Sequence, residues 1–223
     1  MKYCCSDLHG SLEGYRAIKN FIKPEDTVYC LGDCGDRGPE SWETIKAVYN
    51  DPQFVYLKGN HEDMLVRAME EWLPEHIKGM EWQLLVQNGG YDTFQDWKNS
   101  PERNKWLTRL RNLPCYWTYI NSNGQRIIMT HAGYTPPKIP KEDILLWDRK
   151  HFNDEWTGGE HTFIVHGHTP VNSITKNKAD KDILVYSEGH KIDIDILTWR
   201  NKRVALLNLE NLEPIYLDYT ESE

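Results

Sequence analysis

Long apolar runs are missing from this sequence. None approaches the ~20 residues that a membrane-spanning helix needs, so no membrane partner is expected. A leader is lacking as well: Met1-Lys2 runs straight into Tyr3-Cys4-Cys5, and a soluble cytoplasmic protein is the expectation. Cysteine is scarce and has no CxxC spacing. Cys4, Cys5, Cys30, Cys34 and Cys115 are odd in number and mostly border apolar strand-like runs, which predicts reduced core thiols. Basic runs are absent too. With 26 Lys and Arg against 34 Asp and Glu, the net charge of −8 argues against nucleic acid as a partner. Bound divalent cations would offset part of that charge. No repeat, linker or low-complexity tract divides the 223 residues, so one domain over 1–223 is expected.

What is present gathers in the loops after predicted strands. The apolar run Thr27–Leu31 leads into Gly32-Asp33-Cys34-Gly35-Asp36-Arg37-Gly38. Its glycines allow a tight turn, crowded by two aspartates and an arginine. Carboxylates beside a guanidinium suit a site that holds cations and a phosphoryl group together. The same residues also suit a plain turn in which Asp caps a helix and Arg pairs with it.

Around this stretch the chain alternates. Strands are predicted at Lys2–Ser6, Thr27–Leu31 and Gln53–Leu57, each followed by a polar turn and a helix. Ser11 caps the first helix, Pro39 opens the second, and Leu65 and Met69 mark the third. This is βαβ patterning and predicts a parallel sheet. From about 74 to 114, Trp72, Trp82, Trp97 and Trp106 recur at helical spacings with Leu84, Leu85 and Phe94, which predicts a helical insertion near the site with core aromatics. Beyond Pro114, Tyr116–Asn121 and Gln125–Thr130 flank Asn123-Gly124, a hairpin signal. Further strands are expected at Thr162–Val165, Ile183–Ser187, Lys191–Leu197, Arg203–Leu209 and Pro214–Leu217, with a short helix at Lys141–Leu146. The fold class expected is α/β (α+β): two mixed β-sheets packed as a sandwich, flanked by helices, with a largely antiparallel second half.

Five predicted strands end in metal-ligand chemistry: Asp7 and His9, Asp33, Asn60 and His61, His131, and His166 and His168. Taken singly, each has a structural reading as a cap, a turn or a buried histidine. Together, carboxylate, imidazole and amide oxygen make a set suited to first-row divalent metals. No thiolate joins it, against a closed structural zinc site.

These segments in this order, Ser6-Asp7-Leu8-His9-Gly10, Gly32 to Gly38, Gly59-Asn60-His61-Glu62, His131-Ala132-Gly133 and Gly167-His168-Thr169, closely resemble the motifs of the calcineurin-like metallophosphoesterases, in the compact bacterial and phage form of the serine/threonine phosphatase branch. The resemblance implies two divalent metal ions, manganese first, with iron or zinc as alternatives. It places Asp7, His9 and Asp33 on one metal, and Asp33, Asn60, His131 and His168 on the other, with Asp33 bridging. It implies in-line attack on phosphorus by a water held between the metals. His61 is implied as general acid, oriented by Asp36, and Arg37 and Arg149 as phosphoryl ligands. Arg149 stands equally well as a surface residue paired with Asp148.

Three departures stand out. Ser6 replaces a glycine usual in the family, His166 is an extra histidine read as a non-ligand, and Asp193 and Asp195 lie where the family's Asp-Thr-Gly lacks its glycine here and receive no site role. The implied function is a metal-dependent phosphatase acting on phosphoserine or phosphothreonine proteins, or on a small phosphorylated substrate. Its enzymatic rival is a dinucleoside polyphosphate hydrolase. A rival of another class is a catalytically silent relative that binds phosphorylated partners.

Overall fold

In the computed structural model, which describes residues 1–75, 78–134, 136 and 140–220, the βαβ expectation is met in the first half. Strand β1 (Lys2–Cys5), helix α1 (Leu12–Phe21), strand β2 (Thr27–Cys30), helix α2 (Ser41–Asn50) and strand β3 (Phe54–Tyr56) alternate. β1 pairs parallel with β2, and β2 with β3. Ser11 caps α1 as its position predicts, its hydroxyl accepting the Gly14 N–H at 3.1 Å. Helices α3 (Asn60–Glu75), α4 (Met80–Gln87), α5 (Tyr91–Asn99) and α6 (Arg103–Arg111) follow. Residues 76 and 77 of the expected insertion lie outside the described residues.

The second half corrects one expectation. Strands β4 (Tyr116–Ile120) and β5 (Arg126–Thr130) form the antiparallel hairpin, but β5 runs parallel to β6 (Thr162–His166), and β6 parallel to β8 (Lys191–Asp193). β7 (Leu184–Tyr186) closes that sheet antiparallel to β8. Crossovers through helix α7 (Glu142–Trp147) and a turn at His151–Asn153, and then through helix α8 (Val171–Ile174), make parallel pairing possible. After helix α9 (Thr198–Asn201), strands β9 (Arg203–Asn208) and β10 (Pro214–Asp218) return to the first sheet, where β9 pairs with β1. The strand expected over Lys191–Leu197 ends at Asp193, because Asp193 and Asp195 each accept a backbone N–H two residues on and Leu197 turns left-handed at φ 59°. The result is two mixed five-stranded sheets, β10-β9-β1-β2-β3 and β4-β5-β6-β8-β7.

Strand alternation builds the layers. Cys4, Tyr29, Leu31 and Leu57 of the first sheet meet Ile127, Met129, Val165 and Ile192 of the second, while Tyr3, Cys5, Val28 and Cys30 turn to the helices. All five cysteines are free. The tryptophans of α3, α5 and α6 belong to the helical core, where Trp72 and Trp97 pack edge to face at 5.8 Å between centroids. Trp97 is fully buried and its indole N–H donates to the Arg103 carbonyl at 2.8 Å. Trp97→Ala is therefore expected to cost ~3–5 kcal/mol of stability, read by urea unfolding; an unchanged midpoint would show that α5 contributes nothing to the core.

Asp51, just after α2, joins two layers by accepting bonds from Tyr15, the Gln53 N–H and Lys19. Burial pushes its carboxyl up, but these partners outweigh burial and hold it below its ordinary value of 3.8. The folded state thus binds this proton less readily than the unfolded chain. Its contribution is present above that value and lost as pH falls through the folded pKa. Asp51→Asn should flatten the acid limb of the stability curve relative to wild type; parallel limbs would contradict this.

Candidate functional site

Backbone bonds between loops draw the strand ends to one edge. The Asp7 N–H donates to the Gly32 carbonyl at 3.2 Å, the His9 N–H to Asp33 at 2.9 Å, and the Gly167 N–H to His131 at 2.8 Å. Contact is close enough to demand glycine at Gly32, which has φ +98° and where a Cβ would stand 2.5 Å from Gly59 Cα. Asp7, His9, Asp33, Asp36, Arg37 and His168 all adopt positive φ without being glycine. Such backbone persists only where the surroundings enforce it, and it gathers at functional sites.

Asp33 lies at the centre. Its Oδ2 is 3.7 Å from His9 Nε2 and 3.9 Å from His61 Nε2, and its Oδ1 is 3.4 Å from His131 Nε2. Two groups able to hold a metal ion thus share it: His9, Asp33 and His61, and Asp33, His131 and His168. Asn60 joins the second, its Oδ1 lying 2.8 Å from both His131 Nε2 and His168 Nδ1. Helix α3 is capped at Gly59 instead, whose carbonyl accepts the first helical bond from Asp63. Asp7 sits at the rim of the first group. Its Oδ1 is 3.9 Å from His9 Nε2, while its Oδ2 accepts from Ser6 and from the His168 N–H. The first group therefore contains His61 where the sequence suggested Asp7.

Arg37 is placed differently from a free phosphoryl ligand. Its guanidinium donates to His9 Nε2 at 2.8 Å and to His61 Nε2 at 2.7 Å. Behind it, His61 Nδ1 donates to Asp36 Oδ2 at 2.7 Å. Arg149 is exposed, and its charge reaches His168. The pairing with Asp148 is not formed among the described residues, where Asp148 accepts from the Lys150 N–H instead. His166 belongs to neither metal-holding group; its ring bonds Gly167 and the Tyr186 hydroxyl. Asp193 and Asp195 are buried and bond to the backbone of their own turn.

Glu62 is the residue that sequence reasoning left without a role. Fully buried, it accepts the Asp33, Cys34 and Gly59 N–H groups at 2.8, 3.0 and 2.8 Å and the Tyr56 hydroxyl at 2.6 Å. It fixes the Asp33 loop against α3. A signal was available: an acid three residues after the capping position reaches back to that position's N–H.

The electrostatics suit a cation. Burial pushes the Asp33 carboxyl up, but His131 and His61 outweigh it and hold it well below the usual carboxylate range. Burial depresses His131, yet Asp33, Asp7 and Glu62 raise it to about 10. Burial, His131 and Arg149 push His168 down to about 2, leaving a neutral imidazole. Among the described residues His168 Nε2 is buried without a hydrogen-bond partner, and a guanidinium cation already rests on the His9–His61 pair. A lone-pair donor without a partner, beside an anionic carboxylate and an amide oxygen, fits a divalent metal. For His61, burial lowers the pKa, while Asp33 and the Asp36 bond raise it further, so it lies above the ordinary 6.5.

Among the described residues, no helix is long and apolar enough to cross a membrane. The chain is 26% identical over 217 residues to a symmetrical bis(5'-nucleosyl)-tetraphosphatase of Delftia acidovorans, covering 94% of this chain and 65% of that protein, so it spans about two thirds of this relative's length. It is 29% identical over 185 residues to serine/threonine-protein phosphatase 2 of Salmonella typhimurium, covering 76% of this chain and 79% of the relative. In fold it is similar to a serine/threonine phosphatase of Saccharomyces cerevisiae, with a TM-score of 0.61 at 14% identity over 100% of this chain and 81% of that one. The family model for the calcineurin-like phosphoesterases matches residues 3–198, which contain every residue of the two groups around Asp33, and the chain belongs to that family.

Proposed function

We propose that this protein is a dinuclear-metal-dependent phosphoesterase, organised as one domain over 1–223 with the helices of about 74–114 beside its site. The observation that carries the proposal is the sharing of Asp33 between two metal-holding groups, one oxygen facing each. His9 and Asp33 would hold one ion, completed by Asp7 from the rim, where its Oδ1 is 3.9 Å from His9 Nε2. His61, the third member of that group, is thereby kept for the proton. Asp33, Asn60, His131 and His168 would hold the other ion. When bound, two divalent ions, manganese first, supply charge neutralisation for the phosphoryl group and a more acidic water.

The chain's own residues do the rest. Asp36 holds the proton of His61 on Nδ1, which fixes the ring's orientation. Once Arg37 has turned to the phosphoryl group, Nε2 is free to carry and deliver a second proton to the leaving oxygen, a charged form that the raised pKa favours. Arg37 has a planar fork of N–H donors that matches phosphoryl oxygens, and on substrate binding it would exchange its two imidazole acceptors for them. Arg149 would join from the exposed turn after α7.

For substrate, we infer phosphoserine or phosphothreonine in proteins, in line with the Salmonella relative. A dinucleoside polyphosphate is the second reading, because the relative matched over 94% of this chain is a tetraphosphatase. The test is manganese-supported hydrolysis of an aryl phosphate, then a phosphopeptide against diadenosine tetraphosphate in one assay. Folded, manganese-loaded protein without turnover above an Asp33→Asn control would overturn the proposal.

A further inference from the structure

His166 belongs to neither metal-holding group, yet it is completely buried only two residues before His168. Its ring is boxed in by the rings of His151, Phe152 and Tyr186, whose centroids lie 4.7, 5.5 and 5.8 Å away. The box is fastened to β8 and the residue after it. The fully buried Lys191 donates from Nζ to the His151 carbonyl at 2.8 Å, and the Ile194 N–H donates to the His166 carbonyl at 2.8 Å.

Both ring nitrogens have partners that fix the tautomer. Nδ1 lies 3.1 Å from the Gly167 carbonyl, which can only accept, so Nδ1 carries the proton. Nε2 is then the acceptor and takes the Tyr186 hydroxyl proton at 2.6 Å. The Nδ1 proton is thereby aimed at one backbone oxygen.

That oxygen closes the turn that presents His168. The Thr169 N–H donates to it at 2.8 Å across a single residue, and His168 between them has φ 72°. A three-residue turn with positive φ at its centre is the rare, strained form, which persists only where neighbours enforce it. The Gly167 N–H goes to the His131 carbonyl at 2.8 Å, and the His168 N–H to Asp7 Oδ2 at 3.0 Å. Contact is so close that a Cβ on Gly167 would collide with Asp7 and Ser6. A carbonyl has two lone pairs, and His166 takes the one that Thr169 leaves. An apolar side chain could fill the box but would leave the turn without this bond.

We propose that His166, oriented by Tyr186, is a positioning residue for the second metal-holding group, pinning the turn that aims His168. On the dinuclear-metal reading above, on which this assignment rests, the second site reaches across β8 to the edge strand β7.

The test is titration of metal-free protein with manganese, following the free ion by electron paramagnetic resonance, so that each binding step is read without turnover. Loss of a group that orients a metal ligand costs about 10–100-fold in metal affinity. His166→Leu should weaken by about that factor the step that His168→Ala removes, and leave the other step unchanged. His166→Asn, whose amide N–H can stand in for Nδ1–H, should recover most of the loss, and Tyr186→Phe should show a smaller loss in the same step. Circular dichroism checks that each variant is folded. If His166→Leu does not fold, Tyr186→Phe decides, since it removes one oxygen from a half-buried side chain. Unchanged affinity in the folded variants, equal weakening of both steps, or no recovery in His166→Asn would overturn the proposal and leave the dinuclear reading standing. A wild-type protein that binds no manganese would overturn the dinuclear reading and this assignment with it.

Discussion

Asp33→Asn is expected to lower aryl phosphate turnover by at least about 10³-fold, the scale on which removal of a central catalytic group acts. The substitution keeps the size of the side chain and removes its charge. In the folded protein that charge is secure, because His131 and His61 hold the carboxyl well below its usual range against burial. An amide would present a neutral oxygen to one group and an N–H to the other, so one of the two metal-holding groups is faced by a donor. Metal content should fall together with turnover. Retention of both at wild-type levels would show that Asp33 is not shared.

His61→Asn is expected to cost about 10²–10⁴-fold, and its effect should depend on the leaving group. A serine or threonine alkoxide leaves poorly and needs the proton from Nε2, whereas a nitrophenolate leaves well without one. The loss should therefore be larger on a phosphopeptide than on a nitrophenyl phosphate. Measuring both substrates separates proton donation from simple disruption, which would slow them equally. Because His61 also lies within the first metal-holding group, metal content should be determined beside the rates.

Much of this was legible in the sequence because the signals were local. Strand–turn–helix alternation, the Ser11 cap and the turn at Asn123-Gly124 each depend on a few adjacent residues. The loop at Asn123-Gly124 is nonetheless longer than two residues: Ile120 pairs with Arg126, and the Asn121 side chain accepts the Asn123 and Gln125 N–H groups. The site motifs were legible for the same reason, since each is a run of three to seven residues at a strand end.

What stayed hidden depends on contacts distant in sequence. The parallel pairing of β5 with β6 and of β6 with β8, and the return of β9 to β1, are set by crossovers that no local pattern encodes. Arg37 could be seen as a cation, but its rest on His9 and His61 depends on where two other loops end. Glu62 read as one more acid at a helix start, and only the folded chain shows it gathering four donors. Positive φ at Asp7, His9 and His168 is likewise imposed by neighbouring loops.

The sharing of Asp33 is tested most directly by electron paramagnetic resonance of the manganese-loaded protein, with metal content measured on the same sample. Two manganese ions held by groups that share the Asp33 carboxylate should give an exchange-coupled spectrum. In Asp33→Asn that spectrum should be lost. A wild-type spectrum of isolated manganese only, or less than one metal per chain after loading, would contradict the dinuclear site and favour a silent, phosphate-binding relative.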